Sequence, residues 1–484
     1  MTKKIVSILF IILIFTLIAV PALAVPYRGF TYDYWSSYVP APAAYTPTKS
    51  ISAALIDPSL GTFTTPQDMA VDIENNLYVL DSGNNRIVKL TKDLELIKVI
   101  DSFTYNGAEQ TFANPNGIFV TDNMDIYIAD TNNRRIVTLD SEGNCIKMNY
   151  GPRPDELENR YDFLPSKIVV DRAGREYVIV RNVFEGIMRF DARGRFTGFF
   201  GTILVNVSAV DWFWRLLATD AQRERQRLFI PTEFSGMDID AYGFIYTTNV
   251  DFGDENKVKR LNPGGDDVLV NRSEQLINGA QNVIPFGPLA GSSIFTDITY
   301  RGDGMYTALD STRGRMYTYD AEGHLLYTIG GIGTVLGMQF RPSSIESIED
   351  TLLVLDLLRG EITIYEPTEY GDLINRAIYL QYLGNDTEAV ELWREVLELH
   401  ENYPLANIGV GKSLLALGEN RAAMEYLRRG MDIDYYSIAF RRWRTELLRE
   451  NINFILTAGL VTVILISGYM IFIKKRKVDV HEDN

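Results

Sequence analysis

The chain repeats itself. Asp81, Asp130, Val180, Asn249, Asp310 and Asp356 hold equivalent places in six similar stretches, spaced 49, 50, 69, 61 and 46 residues apart. A unit of this length cannot bury its apolar face alone and must stack on its neighbours. Before each anchor the sequence reads strand, turn, strand, as in GIFVTDNMDIYIAD ending at Asp130. A third strand follows each anchor. In most units a polar Gly turn then leads to a fourth, as in LDSEGNCIKMNYG. Val, Ile, Tyr and Phe alternate with polar residues, and Asp, Asn and Gly mark the turns. Four short antiparallel strands in each of six units predict a mainly β fold, a six-bladed β-propeller over 45–366. The sixth unit has no obvious fourth strand. The segment YTPTKSISAAL at 45–55 can supply it, closing the ring and removing an exposed edge.

Two units carry a sharper pattern, YVLDSGNNRIVKL at 78–90 and YIADTNNRRIVTL at 127–139. With Pro66, Pro115 and Gly117 ahead of them, these stretches resemble the NHL repeat. Asp81, Asn84, Arg86, Asp130, Asn133 and Arg135 match its core. Units three and four lack that core, and unit six has Glu361 where Arg is expected. The resemblance implies a propeller over roughly 45–366. It says little of function, since such propellers serve as binding platforms, lyases and lactonase-like enzymes. Recurrence of the Asp-x-x-Asn-x-Arg set in several units is what a structural joint does. The Asp can cap turn N–H groups, and the Arg can pair with it or with a neighbouring blade.

From 367 to 450 the period turns helical. GNDTEAVELWREVLELHENY at 384–403 aligns with GENRAAMEYLRRGMDIDYYS at 418–437, 34 residues later. Gly384 pairs with Gly418 and Ala389 with Ala423. This helix-turn-helix period resembles the tetratricopeptide (TPR) repeat, in which small residues let helices approach closely. The segment reads as a stalk, a peptide groove or a docking surface for a membrane partner.

Both ends carry membrane signals. Residues 1–24 have two lysines, a long apolar run and a small-x-small ending at Ala22 and Ala24, the layout of a secretory signal peptide. An uncleaved anchor is the alternative. Residues 25–44 read as a linker. FILTAGLVTVILISGYMIFI at 454–473 is uncharged and long enough for a helix of about 30 Å, a bilayer core. KKRK opens the tail at 474–484 and places it in the cytoplasm, although RRWR at 441–444 adds positive charge to the other flank. The expected location is a bacterial cell membrane, single-pass, with the bulk extracytoplasmic. The single cysteine, Cys145, excludes an intrachain disulfide, and the net charge of −16 argues against nucleic acid as partner.

Chemistry is sparse. His324, His400 and His481 fall in a strand turn, a helix and the tail, so no histidine zinc cluster is expected. Lyases resembling the NHL type depend on such zinc. Lactonase-like propellers instead hold a divalent metal with Glu, Asn and Asp near the channel. Asp72, Asp122, Asp171 and Asp240 recur at the end of each first strand, which suits a turn role. DIDAYG at 238–243 resembles half a calcium loop but lacks the distal Glu. No cofactor is expected. The insertion at 202–228 holds Trp212, Phe213 and Trp214, candidate anchors for a ligand or partner, or else a cap on a blade. The resulting expectation is a non-enzymatic envelope scaffold that binds a protein or glycan, accessory to membrane transport or envelope assembly. A metal-dependent lactonase-like hydrolase and a purely structural envelope protein are the rivals. The units that lost the pattern, around 181–186 and 249–256, are where function is expected.

Overall fold

A computed structural model describes residues 25–153, 156–157, 162–201, 233–250, 256–273, 275–281 and 291–482. The signal sequence and Trp212, Phe213 and Trp214 lie outside the described residues. The chain divides into two compact units, 1–375 and 376–484.

The first unit is the six-bladed propeller. Its inner strands are Asp68–Val71, Gly117–Val120, Pro165–Val170, Phe234–Ile239, Phe295–Gly302 and Pro342–Ile348, for blades 1 to 6. Each neighbours the inner strand of the next blade, and Pro342–Ile348 meets Asp68–Val71 to close the ring. Within each blade the strands pair antiparallel in sequence order. The second strands are the most buried, and Leu77–Asp81 and Ile126–Asp130 are buried along their whole length. The reason is that both faces of a blade are covered by neighbouring blades. Apolar clusters therefore sit between blades, as where Met69, Val79 and Val88 of blade 1 meet Leu353, Leu355 and Ile362 of blade 6.

The sixth blade is completed from the N-terminus. Tyr45–Ser52 pairs antiparallel with Glu361–Pro367, from Ser52 opposite Glu361 to Tyr45 opposite Pro367. Ring closure thus joins residues about three hundred positions apart. Blade 4 has three named strands among the described residues, ending at Val258–Leu261.

Residues 25–44, expected as a linker, instead hold a hairpin, Gly29–Tyr32 with Tyr38–Ala41. Its aromatic content is the cause. Phe30 is buried, stacks on Tyr38 and lies under the Arg315 guanidinium. Its carbonyl accepts from Thr328 Oγ of blade 5 at 2.9 Å. A linker exposes such side chains; this one has a blade to bury them against.

Helices follow the sixth blade: α1 (Glu369–Tyr382), α2 (Asp386–Leu399), α3 (Pro404–Ala416), α4 (Asn420–Arg429) and α5 (Ile433–Glu482). Within the second unit the two aligned glycines do the same work. Gly384 and Gly418 have φ of +75° and +85° and end their helices, and the next residues, Asn385 and Glu419, donate back to Leu380 and Leu414. Ala389 and Ala423 are fully buried. Gly409 faces the Trp393 ring so closely that a Cβ would sit 2.4 Å from it.

The span expected at 454–473 is not a separate helix. It continues α5 without a break from Ile433. The first turns of α5 pack on the module: Ala439 is buried, Arg442 donates to the Leu415 carbonyl, and Asn420 donates to Glu446 at 2.6 Å. No Pro or Gly interrupts 433–458, so nothing stops the helix before the apolar stretch. Residues 433–471 are long and apolar enough to cross a membrane, with a mean hydropathy of 2.2 over their most apolar window.

Candidate functional site

Each inner strand has one residue opposite the residue that precedes the repeat anchor. These are Asp68, Gly117, Lys167, Asp297 and Ser344 by strand pairing, and in blade 4, across the bulge between Phe234 and Met237, Gly236, whose amide donates to Thr248 Oγ1 at 2.9 Å. They form a single bonded layer around the propeller axis. Lys167 Nζ donates to Asp68 Oδ1 at 2.5 Å and to Asp297 Oδ1 at 2.8 Å. Ser344 Oγ donates to Asp68 Oδ1 at 3.0 Å and to Asp297 Oδ2 at 2.8 Å. The Ile118 amide donates to Asp68 Oδ2 and the Ile345 amide to Asp297 Oδ2, at 3.0 Å each. The glycines make room. A Cβ on Gly117 would lie 2.6 Å from the Ser166 carbonyl, and one on Gly236 would lie 2.6 Å from the Asp297 Cα.

Burial alone would depress the Lys167 ammonium, but Asp297 and Asp68 outweigh it and hold it above the ordinary lysine range. Burial pushes Asp68 up to about 6 in spite of Lys167. Two residues further along their strands stand Asp238 and Glu346. Burial raises Asp238 to about 6, opposed by the Tyr300 and Ile239 amides bonded to it. Burial, with Asp238, Asp297 and Asp68 adding to it, holds the Glu346 carboxyl well above the usual range.

The repeat residues sit at the blade edges and not on the axis. Asp81 Oδ2 accepts from Asn84 Nδ2 and Arg86 Nε, both at 2.8 Å, and its Oδ1 accepts the Thr64 amide at 2.7 Å. Asn84 and Arg86 then donate to the Thr62 and Leu60 carbonyls. Blade 2 repeats this with Asp130, Asn133 and Arg135 against Ala113 and Thr111. The Asp was expected to cap its own turn. Instead it grips the connection entering its blade, because Asp81 and Asp130 point back across the strand start and not along the following turn.

Blades 5 and 6 reach the same end by another residue. Arg313 donates to the Gly291 carbonyl, and Arg359 to the Gly333 and Met338 carbonyls. Both stand three residues after the anchor Asp, so the Arg missing at Glu361 is supplied by Arg359. The Asp-x-x-Arg-Gly spelling at 310–314 and 356–360 was the available signal. In blade 4, Lys257 is buried and donates to the Ser293 carbonyl from beyond the turn. Among the described residues blade 3 shows no such clamp: its anchor is Val180, and the next residue, Arg181, turns inward to donate to Asn116 Oδ1 of blade 2 at 2.6 Å.

Arg181 thereby enters a 230 Å³ cavity over the axial layer. Every blade sends it the residue preceding its axial position: Gln67, Asn116, Ser166, Ser235, Thr296 and Ser343. Arg341 joins them. The hydroxyls of Ser166, Ser235 and Ser343 donate to the carbonyls of Ile179, Phe295 and Pro66. The chain also leaves blade 3 at Phe200 and enters blade 4 at Phe234 on this face.

The opposite face carries the first hairpin turns. Asp72, Asp171 and Asp240 each accept two amides of their own turn, as Asp72 does from Glu74 and Asn76 at 2.9 Å. Asp122 does not share this role. Thr121 holds the equivalent place and accepts the Asp125 amide, while exposed Asp122 pairs with exposed Arg172 at 3.4 Å. A groove of 1000 Å³ runs over these turns in blades 2 to 4. Among the described residues no three His, Cys, Asp or Glu side chains are placed to hold one metal ion. His324 is bonded to Asp320, and His400 stacks on Tyr403.

Fold and site define a six-bladed propeller with a charged, internally bonded axis, followed by helices that include one able to span a membrane. No family model and no curated protein match the chain. Among solved structures it is similar to virginiamycin B lyase from Staphylococcus aureus, at 14% identity and TM-score 0.40, covering 66% of this chain and 99% of that one. It is also similar to BamB from Moraxella catarrhalis, at 10% identity and TM-score 0.34, covering 66% and 99%. The fold assignment rests on the strand pairing itself.

Proposed function

We propose that this protein is a membrane-anchored, extracytoplasmic binding scaffold that recognises a protein or glycan partner at the cell envelope and performs no chemistry of its own. One observation carries this reading. The polar groups of the axial layer are consumed in bonding the blades to each other: Lys167 and Ser344 bridge Asp68 and Asp297, and the Ile118 and Ile345 amides donate to the same two carboxylates. A catalytic carboxylate needs a free lone pair facing its substrate. Here the accessible polar groups lie on the faces, where propeller loops bind. The apolar part of α5 supplies the anchor, with KKRK on the cytoplasmic side. The helical module, similar in period to TPR units, stands next to the membrane and suits a partner in the same membrane.

The test is site-specific photo-crosslinking of the full chain in its native membrane. Probes go at Gln67 on the cavity face, Tyr242 on the opposite face and Ile97 on the outer edge of blade 1. The reading expects one face to trap a discrete partner and Ile97 to trap none. Uniform trapping from all three positions, or divalent-metal-dependent lactone hydrolysis by the purified protein, overturns it.

A further inference from the structure

We infer that the cavity over the axial layer is a binding site for a single oxyanionic group, a carboxylate or a phosphate. The inference deepens the reading of the propeller as a binding scaffold and rests on it for biological context, not for chemistry.

Arg181 and Arg341 are exposed at the cavity, and guanidinium groups donate hydrogen bonds but accept none. Arg341 uses its main chain, the amide donating to Asp356 and the carbonyl accepting from Leu357; its guanidinium bonds to nothing among the described residues. Arg181 uses one nitrogen, Nη2, on Asn116 and keeps the rest of its fork. The Gln67 carboxamide and the Thr296 hydroxyl line the same space, half-buried and without partners among the described residues. The hydroxyls of the four lining serines, Ser166, Ser235, Ser311 and Ser343, are committed to carbonyls, so the donors left open include the two arginines, Gln67 and Thr296. Two guanidinium forks with neutral donors between them are matched to a planar carboxylate or a phosphate. A water occupies roughly 30 Å³ of liquid, so 230 Å³ holds such a group with several waters.

The charge beneath does not cancel this. Asp68 and Asp297 share Lys167, Ser344 and two amides, which leaves that layer one negative charge against the two arginines. Asp238 and Glu346 stand two residues deeper, roughly 7 Å along the strands. The location also follows from the repeat. Blade 3 has Val180 at the anchor and Arg181 directly after it, where the other blades carry Ser82, Thr131, Val250, Ser311 and Leu357.

The experiment is calorimetric titration of the full-length protein in detergent micelles with inorganic phosphate and, separately, acetate, at ionic strength held constant with chloride. Saturable binding of one or both is expected, weakened tenfold or more by Arg341→Ala and by Arg181→Ala and partly retained by Arg341→Lys. Arg172→Ala, on the opposite face, leaves it unchanged. Arg341 makes no side-chain bond among the described residues, so its variant is expected to fold, which an unshifted Tm verifies; Arg181→Lys serves if Arg181→Ala does not fold. Binding of phosphate alone assigns a phosphate ester, and binding of acetate assigns a carboxylate. Absence of saturable binding by either anion overturns the inference, as does equal weakening by Arg172→Ala and Arg341→Ala. Anion binding without a crosslinked partner sinks the scaffold reading alone, and a partner without anion binding sinks this inference alone.

Discussion

Lys167 of blade 3 reaches across the propeller axis to Asp297 of blade 5, Nζ to Oδ1 at 2.8 Å, and the same ammonium holds Asp68 of blade 1. Three non-adjacent blades therefore share one cation. Lys167→Met leaves two buried carboxylates facing each other without it. A loss of about 3–5 kcal/mol is expected, since removing one partner of a buried pair strands the others. Denaturant unfolding followed by near-ultraviolet circular dichroism measures it, and a loss below about 1 kcal/mol would show the bridge to be incidental.

The axial carboxyls set the pH response. Asp238 titrates near 6 in the fold, and Glu346 well above its usual range, whereas unfolded carboxyls titrate near 4. The folded state thus binds more protons than the unfolded one from about pH 4 upward. Through that window these two groups make stability fall as pH rises, and acidification from pH 7 to 5 restores it. Glu346→Gln removes its share, so the variant's stability depends less steeply on pH. A slope identical to wild type between pH 5 and 8 would exclude this account.

Arg135 clamps blade 2 through Nε to Asp130 and Nη2 to the Thr111 carbonyl. Arg135→Ala leaves Asp130 buried with a reduced set of donors, at a cost of about 3 kcal/mol. Arg135→Lys recovers little, because one ammonium cannot reproduce the fork. The thermal midpoints of the two variants should lie close together and well below wild type.

Ring closure can be locked. Ser50 and Thr363 face each other across the pairing that completes blade 6, with their hydroxyls 3.5 Å apart. Ser50→Cys with Thr363→Cys, in a Cys145→Ser background, should oxidise to an intramolecular disulfide and stabilise the propeller by about 2–4 kcal/mol. Failure to oxidise, with both thiols reactive, would mean that the N-terminal strand does not close the ring.

Gly409→Ala tests the helical unit. The added methyl meets the Trp393 ring at 2.4 Å, and overpacking of this kind costs about 1–3 kcal/mol, against a gain of under about 1 kcal/mol in helix propensity. Net destabilisation is expected in far-ultraviolet thermal melts, and a rise in the midpoint would refute the contact.

The amino-acid sequence by itself determined the number of blades, the anchor residues, the closing strand, the helical pairs and the apolar span. Each of these is local: a strand period, a turn residue or an apolar run is written in neighbouring positions. Only the tertiary structure decided how they are used. Asp81 and Asp130 were legible as joints, but their grip on Thr64 and Ala113 spans 17 residues and appears only once the connections are laid beside the blades. Arg359 stands in for the Arg missing at Glu361 because, two residues earlier, its guanidinium reaches carbonyls of the connection entering blade 6. The axial layer was invisible, since Asp68, Lys167, Asp297 and Ser344 follow no common spelling and meet because six equivalent strand positions converge on one axis. Arg181 is the sharpest case. In the sequence it stands in a unit that departs from the pattern; in the fold it brings a cation to the cavity over the axis.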